Sequence, residues 1–416
     1  MPMLAPPGRH RSASLSRRGV LALGGIAVAA AALRHDAHGQ ATGVRTLAEG
    51  LRIIRARPSD SEPGAWGYEG AVPGPLLRVR RGEEIAARLV NELPEPTAVH
   101  WHGVRLANAM DGVPGLTQPP IAPGASFDYR FIAPDAGTFW YHPPLDSGTQ
   151  LDRGLAGVLL VEEAVPVDVD RDLAILLSDR QLSQSVDIAV RSSERLRLRL
   201  VNATYARVLA VRIARHQATV MAIDGEPAEP FAARNGRVAL GPGNRVDLFV
   251  DVTLALAESA PIVVETDGRE LTVARLICES AADARPQRRA PPGLLPPNPL
   301  PARIDLRNAL KHEVALSRTQ GGYGPPLFSV RRGRAVMLGL ANRADAAQAV
   351  HVHGHHFRLL DRLDDGWKPF WLDTLLLPAW ETDHIAFVAD NPGKWRVHAH
   401  QLGQNRGAWS AWFEVT

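Results

Sequence analysis

The chain has 416 residues, of which 45% are hydrophobic and 22% are charged. This composition is typical of a globular protein with about two to four domains. Residues 1–39 hold five arginines and one acid, so the rest of the chain has 42 basic and 43 acidic residues and a net charge of −1. Such a balance gives no support to nucleic-acid binding. Because Cys278 is the only cysteine, an intrachain disulfide is excluded.

The first segment has the pattern of an export signal. Arg17 and Arg18 precede an apolar run over residues 20–33, which is typical of a twin-arginine signal peptide. We therefore expect residues 1–39 to be removed, and the mature protein to lie in the periplasm or otherwise outside the cytoplasm. The apolar run is short for a membrane span, and no other candidate span is found in the sequence. An uncleaved anchor is the alternative reading of this segment.

From about Arg45 onward, short apolar runs alternate with turns. Together with 36 glycines and 33 prolines, this pattern predicts an all-β protein. Residues 285–301 contain seven prolines and predict a stiff, extended linker. The expected domains are therefore residues 40–163, residues 164–284 and residues 302–416, with the linker before the last.

Three His-x-His pairs, each preceded by valine, are the main chemical feature of the sequence. They are His100 and His102, His351 and His353, and His398 and His400. On a β-strand, residues i and i+2 face the same side with Cα atoms about 6–7 Å apart. That spacing suits neighbouring metal ions about 3.5–4 Å apart. Imidazole ligands favour copper, zinc, nickel or iron, with copper bound most tightly. The alternative is that the three pairs are unrelated histidines on separate strands.

The sequence around these pairs is repeated. Gly82 in the run Val-Arg-Arg-Gly precedes His100 by 18 residues, and Gly333 in the same run precedes His351 by 18 residues. Residues 137–142, which end in a histidine, correspond to residues 393–398. This duplication predicts two related domains that both carry ligands. The segment between them has no His-x-His pair, so we expect a third sandwich that packs without binding metal.

These motifs resemble those of the multicopper oxidases, a family that includes the laccases. The matching segments are residues 97–103, 110–112, 117–118, 120–124, 137–142, 154–157, 351–357 and 389–395. The resemblance implies three cupredoxin-like Greek-key β-sandwich domains. It also implies a cluster of type 2 and type 3 copper ions between the first and the last domain.

The resemblance assigns seven histidines to this cluster. It places His100 and His351 on the type 2 copper, His102, His142 and His400 on one type 3 copper, and His353 and His398 on the other. The third ligand of that last copper would fall at position 144, which is Pro144. Asp146 and His355 are candidate replacements for it. We therefore expect two to three copper ions.

The type 1 copper of the family is predicted to be missing. Its ligands would fall at Gln348, Ala399, Gln404 and Trp409, and the chain has no cysteine after Cys278 and no methionine after Met337. A blue copper site needs a thiolate, so it cannot form in the last domain.

One acid near the predicted cluster has a second possible role. Asp111 matches a family acid that relays protons to reduced dioxygen, although in the run Met-Asp-Gly it could instead cap a turn. The second acid of the family would fall at Asn405, which cannot donate a proton in this way.

The first functional hypothesis is an exported copper oxidoreductase that acts on dioxygen and an unknown reductant. Without a type 1 copper, electrons would have to reach the cluster directly, and laccase turnover should be poor. The alternative is a non-catalytic copper-binding or envelope scaffold protein of the same family. A zinc-dependent hydrolase is a third possibility, but no residue supports it.

Overall fold

A computed structural model of the chain describes residues 45–46, 51–144, 148–280, 289–317, 323–360, 370–403 and 408–416. All of them belong to one unit that spans residues 38–416. The predicted signal segment lies outside these residues, as do Asp146, Gln404 and Asn405. Within the described part of the chain, no helix is long and apolar enough to cross a membrane.

Strands dominate the structure, which confirms the all-β prediction. The helical segments among the described residues are one short α-helix, α1 (Thr149–Asp152), and three 3₁₀ turns at Asn108–Met110, Gln181–Ser183 and Arg234–Gly236. The strands form six sheets, and consecutive parts of the chain contribute two sheets each.

The first pair of sheets contains nine strands. They are β1 (Arg45–Thr46), β2 (Arg52–Pro58), β3 (Trp66–Tyr68), β4 (Leu77–Arg80), β5 (Glu84–Asn91), β6 (His100–His102), β7 (Ser126–Ile132), β8 (Gly137–His142) and β9 (Gly157–Glu162). Their orders are β1-β4-β9-β8-β6 and β3-β2-β5-β7. The antiparallel pairing of β6 and β8 places His100 opposite His142.

The second pair of sheets contains ten strands. They are β10 (Arg171–Leu177), β11 (Val186–Arg191), β12 (Arg195–Asn202), β13 (Leu209–Ile213), β14 (Ala218–Ile223), β15 (Glu226–Ala232), β16 (Arg237–Leu240), β17 (Arg245–Asp251), β18 (Ser259–Thr266) and β19 (Arg269–Ser280). The orders are β10-β12-β17-β14-β15 and β11-β19-β18-β13-β16. A separate apolar core fills the space between these two sheets.

The third pair of sheets contains nine strands. They are β20 (Leu310–Leu316), β21 (Ser329–Val330), β22 (Ala335–Asn342), β23 (Gln348–Val352), β24 (Arg358–Leu360), β25 (Thr374–Leu377), β26 (Thr382–Val388), β27 (Gly393–Gln401) and β28 (Ala408–Val415). Their orders are β20-β22-β26-β24 and β21-β28-β27-β23-β25. The apolar core of this pair is continuous with that of the first pair, so the two ends of the chain pack together.

The duplication seen in the sequence is repeated in the strand register. His351 on β23 pairs with His398 on β27, just as His100 on β6 pairs with His142 on β8. In both copies, the glycine that follows the His-x-His pair has a positive φ, +85° at Gly103 and +66° at Gly354. The two ligand-bearing regions therefore share their local backbone geometry as well as their sequence.

The predicted linker is more embedded than its composition suggests. Its described part, residues 289–301, contains no strand. However, Leu295 packs in an apolar cluster with Met221 and Phe249, and Asn298 is buried. The side chain of Asn298 forms hydrogen bonds to both the N–H and the carbonyl of Ala136. The linker is therefore held against the first two pairs of sheets.

Candidate metal centre

Four strands bring the seven predicted histidines into one buried region. His100 and His102 lie on β6, His142 ends β8, His351 lies on β23 with His353 directly after it, and His398 and His400 lie on β27. Each of these side chains is at most 3% exposed. The region lies where the first and third pairs of sheets meet.

Six of the histidines form three close nitrogen pairs. Nε2 of His100 lies 3.4 Å from Nε2 of His351, and Nδ1 of His102 lies 3.2 Å from Nε2 of His142. Nε2 of His353 lies 3.0 Å from Nδ1 of His398. Two imidazoles on one ion, with bonds of about 2.0–2.1 Å and a tetrahedral angle, have nitrogens about 3.3 Å apart. Each pair joins two histidines that the resemblance assigns to the same copper.

The three pairs are adjacent. Ligand atoms of His100, His351 and His353 lie within 4.8 Å of one another, and so do those of His100, His102 and His142. His100 belongs to both groups and thus connects two of the pairs. The ring of His398 is 5.4 Å from that of His351, which connects the third pair to the others.

His400 provides a test of whether the site fits a metal. Its ring lies 4.7 Å from that of His398 and 4.9 Å from that of Tyr205. It is 3% exposed, and neither ring nitrogen has a hydrogen-bond partner among the described residues. A buried polar group without a partner is costly, so these nitrogens are well suited to bind an ion. Within the described part of the chain, the ring contacts of His400 are thus with His398 and Tyr205 rather than with His102 or His142, its predicted partners.

Burial keeps six of the seven imidazoles in the neutral form that binds metal. It lowers the pKa of five of them below the ordinary value, namely His102, His142, His351, His353 and His398. Burial, followed by the charge of Arg396, lowers the pKa of His400 to about 3. A neutral imidazole has a free lone pair, and metal binding requires this form.

Asp111 contacts histidines from both ends of the chain. It follows the 3₁₀ turn Asn108–Met110, and its N–H donates to the carbonyl of Asn108, a bond that any residue could make. Its carboxylate lies 2.9 Å from Nδ1 of His353 and 3.2 Å from Nδ1 of His100, and its main-chain carbonyl lies 2.9 Å from Nδ1 of His100. Burial alone would raise the pKa of Asp111, but His353 and His100 outweigh it and hold the pKa well below the usual range. The carboxylate thus holds Nδ1 of both rings and leaves Nε2 facing the cluster.

Two residues that the sequence did not indicate, Asp373 and Thr374, complete the opposite side. The hydroxyl of Thr374 lies 3.0 Å from Nε2 of His102 and 3.1 Å from Nδ1 of His351. The carboxylate of Asp373 lies 3.4 Å from the same two nitrogens. The only signal for them in the sequence is a polar pair directly before the apolar run of β25.

The middle pair of sheets supports this segment, although it provides none of the seven histidines. Arg245 on β17 binds the Asp373 carboxylate with both terminal nitrogens, at 2.8 and 2.6 Å. The carboxylate of Asp224 accepts from the N–H groups of Asp373 and Thr374 at 3.4 and 3.3 Å. Gly103 makes room for Arg245, since a Cβ there would lie 2.3 Å from the guanidinium.

The structure describes one of the two candidate replacements for the ligand at position 144. The ring of His355 packs among Phe387, Trp395 and Phe413, with centroid distances of 5.1 to 5.5 Å. His355 therefore belongs to the apolar core of the third pair of sheets, and its Nδ1 faces the carbonyl of His353 at 3.2 Å. Asp146, the other candidate, lies outside the described residues.

The structure describes three of the four positions at which the resemblance would place type 1 ligands, namely Gln348, Ala399 and Trp409. Ala399 on β27 pairs with Trp409 on β28, and Gln348 pairs with Gln401. The Gln348 amide donates to Asn342 at 2.8 Å. Gln348 and Trp409 line a cleft of about 430 Å³.

The family of the chain follows from comparison with known proteins. Family profiles described as multicopper oxidase match residues 53–165, 133–257 and 296–413. A solved multi-copper oxidase from Pseudomonas thermotolerans is 32% identical with a TM-score of 0.77, over 90% of this chain and 100% of that one. The chain belongs to the multicopper oxidase family. The resemblance inferred from the motifs is thus confirmed, and so are its cupredoxin-like sandwiches.

Two further multicopper oxidase relatives match most of the chain. The solved structure of Lac15, from a marine microbial metagenome, is 34% identical with a TM-score of 0.77, over 88% of this chain and 100% of that one. Multicopper oxidase MmcO of Mycobacterium tuberculosis is 27% identical over 500 residues, 96% of this chain and 97% of the relative. Family membership implies copper as the cofactor, and the histidine groups described above are compatible with it.

Proposed function

We propose that this multicopper oxidase is an exported oxidoreductase with a cluster of two or three coppers and no type 1 copper. The cluster would lie between residues 40–163 and 302–416, while residues 164–284 pack without binding copper. The observation that carries the proposal is the set of three nitrogen pairs at 3.0 to 3.4 Å. Copper bound there would supply one-electron redox chemistry towards dioxygen.

The proposed ligands are the seven histidines, with the assignment to type 2 and type 3 ions that the resemblance gave. Burial lowers the pKa of the six histidines named above and so keeps those rings neutral, and contacts outside the cluster orient the rings. Asp111 fixes His100 and His353, while Asp373 and Thr374 fix His102 and His351. Such contacts set which nitrogen of each ring faces the metal. Asp111 also remains our candidate for proton relay.

Electron delivery is the step in which this protein differs from a laccase. A thiolate ligand cannot be provided after Cys278, so we propose that the reductant reacts close to the cluster itself. The alternative function is a non-catalytic copper-binding or envelope scaffold protein. Pro144 favours that alternative, because it removes one of the expected ligands.

The decisive measurement is made on protein purified with excess copper. We expect two to three coppers per chain and a paramagnetic resonance signal of a type 2 copper. The visible spectrum should show no intense band in the red, and dioxygen uptake with hydroquinone should be slow. Copper binding without any dioxygen uptake would favour the scaffold or copper-binding function. Intense thiolate absorption, or protein without copper, would contradict the proposal.

Export depends on the arginine pair at Arg17 and Arg18, and a cell-fractionation experiment tests it separately. Replacement of both arginines by lysine should retain the protein in the cytoplasm, whereas the unchanged chain should be exported. Equal export of the two forms would contradict a twin-arginine route.

A further inference from the structure

A second group of potential ligands lies outside the histidine cluster. Ligand atoms of Asp135, Glu226 and His356 all lie within 4.8 Å of one another. Their exposed fractions are 1%, 3% and 3%. Asp135 precedes β8, Glu226 begins β15 and His356 precedes β24, so each pair of sheets contributes one residue. The group therefore lies at the junction of all three.

Two of the three ligand groups face each other as an ion pair. Oε1 of Glu226 lies 2.8 Å from Nδ1 of His356, and neither of these two atoms makes a hydrogen bond of regular geometry within the described part of the chain. Two ligands on one ion, with bonds of about 2.0–2.1 Å, are about 2.9 Å apart at right angles and about 3.3 Å apart at a tetrahedral angle. The distance is therefore compatible with two ligands on one ion, as it is with an ion pair.

Neighbouring groups hold the three ligands in place. Nε2 of His356 lies 2.7 Å from the carbonyl of Gly103, which can only accept a hydrogen bond. In the neutral ring, this contact leaves the lone pair on Nδ1, on the side of Glu226. Asn298 donates to Oε2 of Glu226 at 3.1 Å. Arg105 donates to both oxygens of Asp135 at 2.8 Å, and each oxygen keeps a second lone pair.

The charges around the group call for an additional cation. The carboxylates of Asp135 and Asp390 contact Arg105, and that of Asp373 binds Arg245. With Glu226, and with Asp224, which also contacts Arg245 at 3.7 Å, five carboxylates face two guanidinium groups, so the surroundings of the group are net negative. A divalent cation would compensate more of this charge than a proton on His356.

The pKa of His356 reflects the same field. Burial alone would lower it, but Glu226 and then Asp373 outweigh burial and raise the pKa to about 9. A positive charge is thus favoured at Nδ1, as either a proton or a metal ion. Two carboxylates and one imidazole suit manganese better than an all-imidazole site does, and the same types of ligand also bind zinc.

We propose that Asp135, Glu226 and His356 bind one divalent cation that accepts both nitrogen and oxygen ligands. This site is separate from the proposed copper cluster. The ion would connect the three pairs of sheets at a point adjacent to the cluster. Gly103 directly follows His102 in the chain, and Asp373 lies 3.8 Å from Nε2 of His356. The cation would thereby stabilise the surroundings of His102 and His351.

Zinc is the probe for this site. The full chain is crystallised with zinc chloride after removal of bound metal with a chelator, and diffraction is recorded on both sides of the zinc absorption edge. We expect an anomalous peak at about 2.0–2.2 Å from Nδ1 of His356 and from oxygens of Glu226 and Asp135. A map without that peak overturns the proposal, and His356 then carries a proton within an ion-pair network.

Metal counting by mass spectrometry provides a second measurement in solution. Glu226→Gln should hold one zinc fewer per chain than the unchanged protein. Glu194→Gln is the matched control, because Glu194 is also a 3% exposed carboxylate in the middle pair of sheets, where it contacts Arg171. It should retain the full count. An unchanged count in Glu226→Gln contradicts the proposal, and so do equal losses in both variants, because the lost zinc is then not specific to this site.

Discussion

The carboxylate of Asp111 lies 2.9 Å from Nδ1 of His353, although the two residues are 242 positions apart in the chain. The same carboxylate lies 3.2 Å from Nδ1 of His100. One acid therefore orients a proposed ligand from each end of the molecule. This contact connects the geometry of the cluster to the packing of the first pair of sheets against the third.

Replacement of Asp111 should weaken copper binding even if the fold is retained. Asp111→Asn can accept a hydrogen bond with only one side-chain atom. His100 keeps the main-chain carbonyl of residue 111 at 2.9 Å from its Nδ1, so His353 is the ring whose orientation is weakened. We expect about 10- to 100-fold weaker copper binding, as for other residues that orient metal ligands, and an altered paramagnetic spectrum. The control is Asp128→Asn, which replaces a partly exposed carboxylate that pairs with Arg88. Equal affinity and spectra in both variants would show that Asp111 does not orient the ligands.

Copper binding should require ligands from both ends of the chain. His102→Ala and His400→Ala should each lower the copper content per chain and reduce the rise in melting temperature that copper produces. The reason is that each substitution leaves an incomplete site between the first and third pairs of sheets. His384→Ala, a partly exposed histidine on β26, is the control. Full copper content in both cluster variants would exclude a shared site.

Arg245 should stabilise the cluster through Asp373. Arg245→Met leaves the buried carboxylates of Asp373 and Asp224 without their cation, and we expect a loss of about 3–5 kcal/mol in the free energy of unfolding. Arg245→Lys should lose less, since it retains the charge but not the two-point contact. The double variant Arg245→Met with Asp373→Asn should recover part of the loss in chemical denaturation. No recovery would mean that the two residues act independently.

Asp224 should make stability depend on pH. Burial, together with the charge of Asp373, raises the pKa of Asp224 to about 6, whereas an unfolded aspartate has a pKa of about 3.9. Between about pH 4 and about pH 6, the folded protein therefore keeps a proton on Asp224 that the unfolded protein has released. This contribution to stability is fully present below about pH 4 and is lost as the pH rises through about 6.

The variant Asp224→Asn tests this dependence. It lacks the titrating group, so its free energy of unfolding should improve relative to that of the unchanged protein by about 2 kcal/mol between pH 4 and pH 7. Denaturant unfolding of both proteins at each pH gives the difference. A constant difference across this range would show that the carboxyl group has an ordinary pKa.

Position 144 should limit copper occupancy. In the proposed assignment, His353 and His398 alone hold one type 3 copper, and two protein ligands hold metals less tightly than three or four. Pro144→His should therefore raise the copper content per chain. Oxidation of phenols should stay slow, because electron entry is unchanged. If the unchanged protein already contains three tightly bound coppers and oxidises phenols at laccase rates, the cluster is not degenerate.

The sequence was sufficient to predict the all-β fold and the grouping of the histidines. Strand geometry alone places both rings of a His-x-His pair on the same face of the strand. The register of β6 with β8 and of β23 with β27 repeats the duplication that the motifs indicated. The predictions of the fold and of the histidine grouping thus came mainly from the local periodicity and the repetition of the sequence.

Contacts between distant segments could not be predicted in this way. Arg245 and Asp373 are 128 residues apart, and no spacing rule connects an arginine on β17 with an acid before β25. Asn298 lies in a proline-rich segment that reads as a linker, yet it contacts Ala136 and Glu226. Such contacts depend on how finished sheets pack, which is not encoded in any short pattern.

The division of the histidines between the two ends of the chain also determines when copper can be acquired. A chain is synthesised from its N-terminus, and its domains generally fold as units in that order. His100, His102 and His142 can reach their final strands early, whereas His351 follows His100 by 251 residues. The first sandwich alone therefore presents three of the seven proposed ligands. In the proposed function, a complete copper site would thus form only after the C-terminal sandwich has docked.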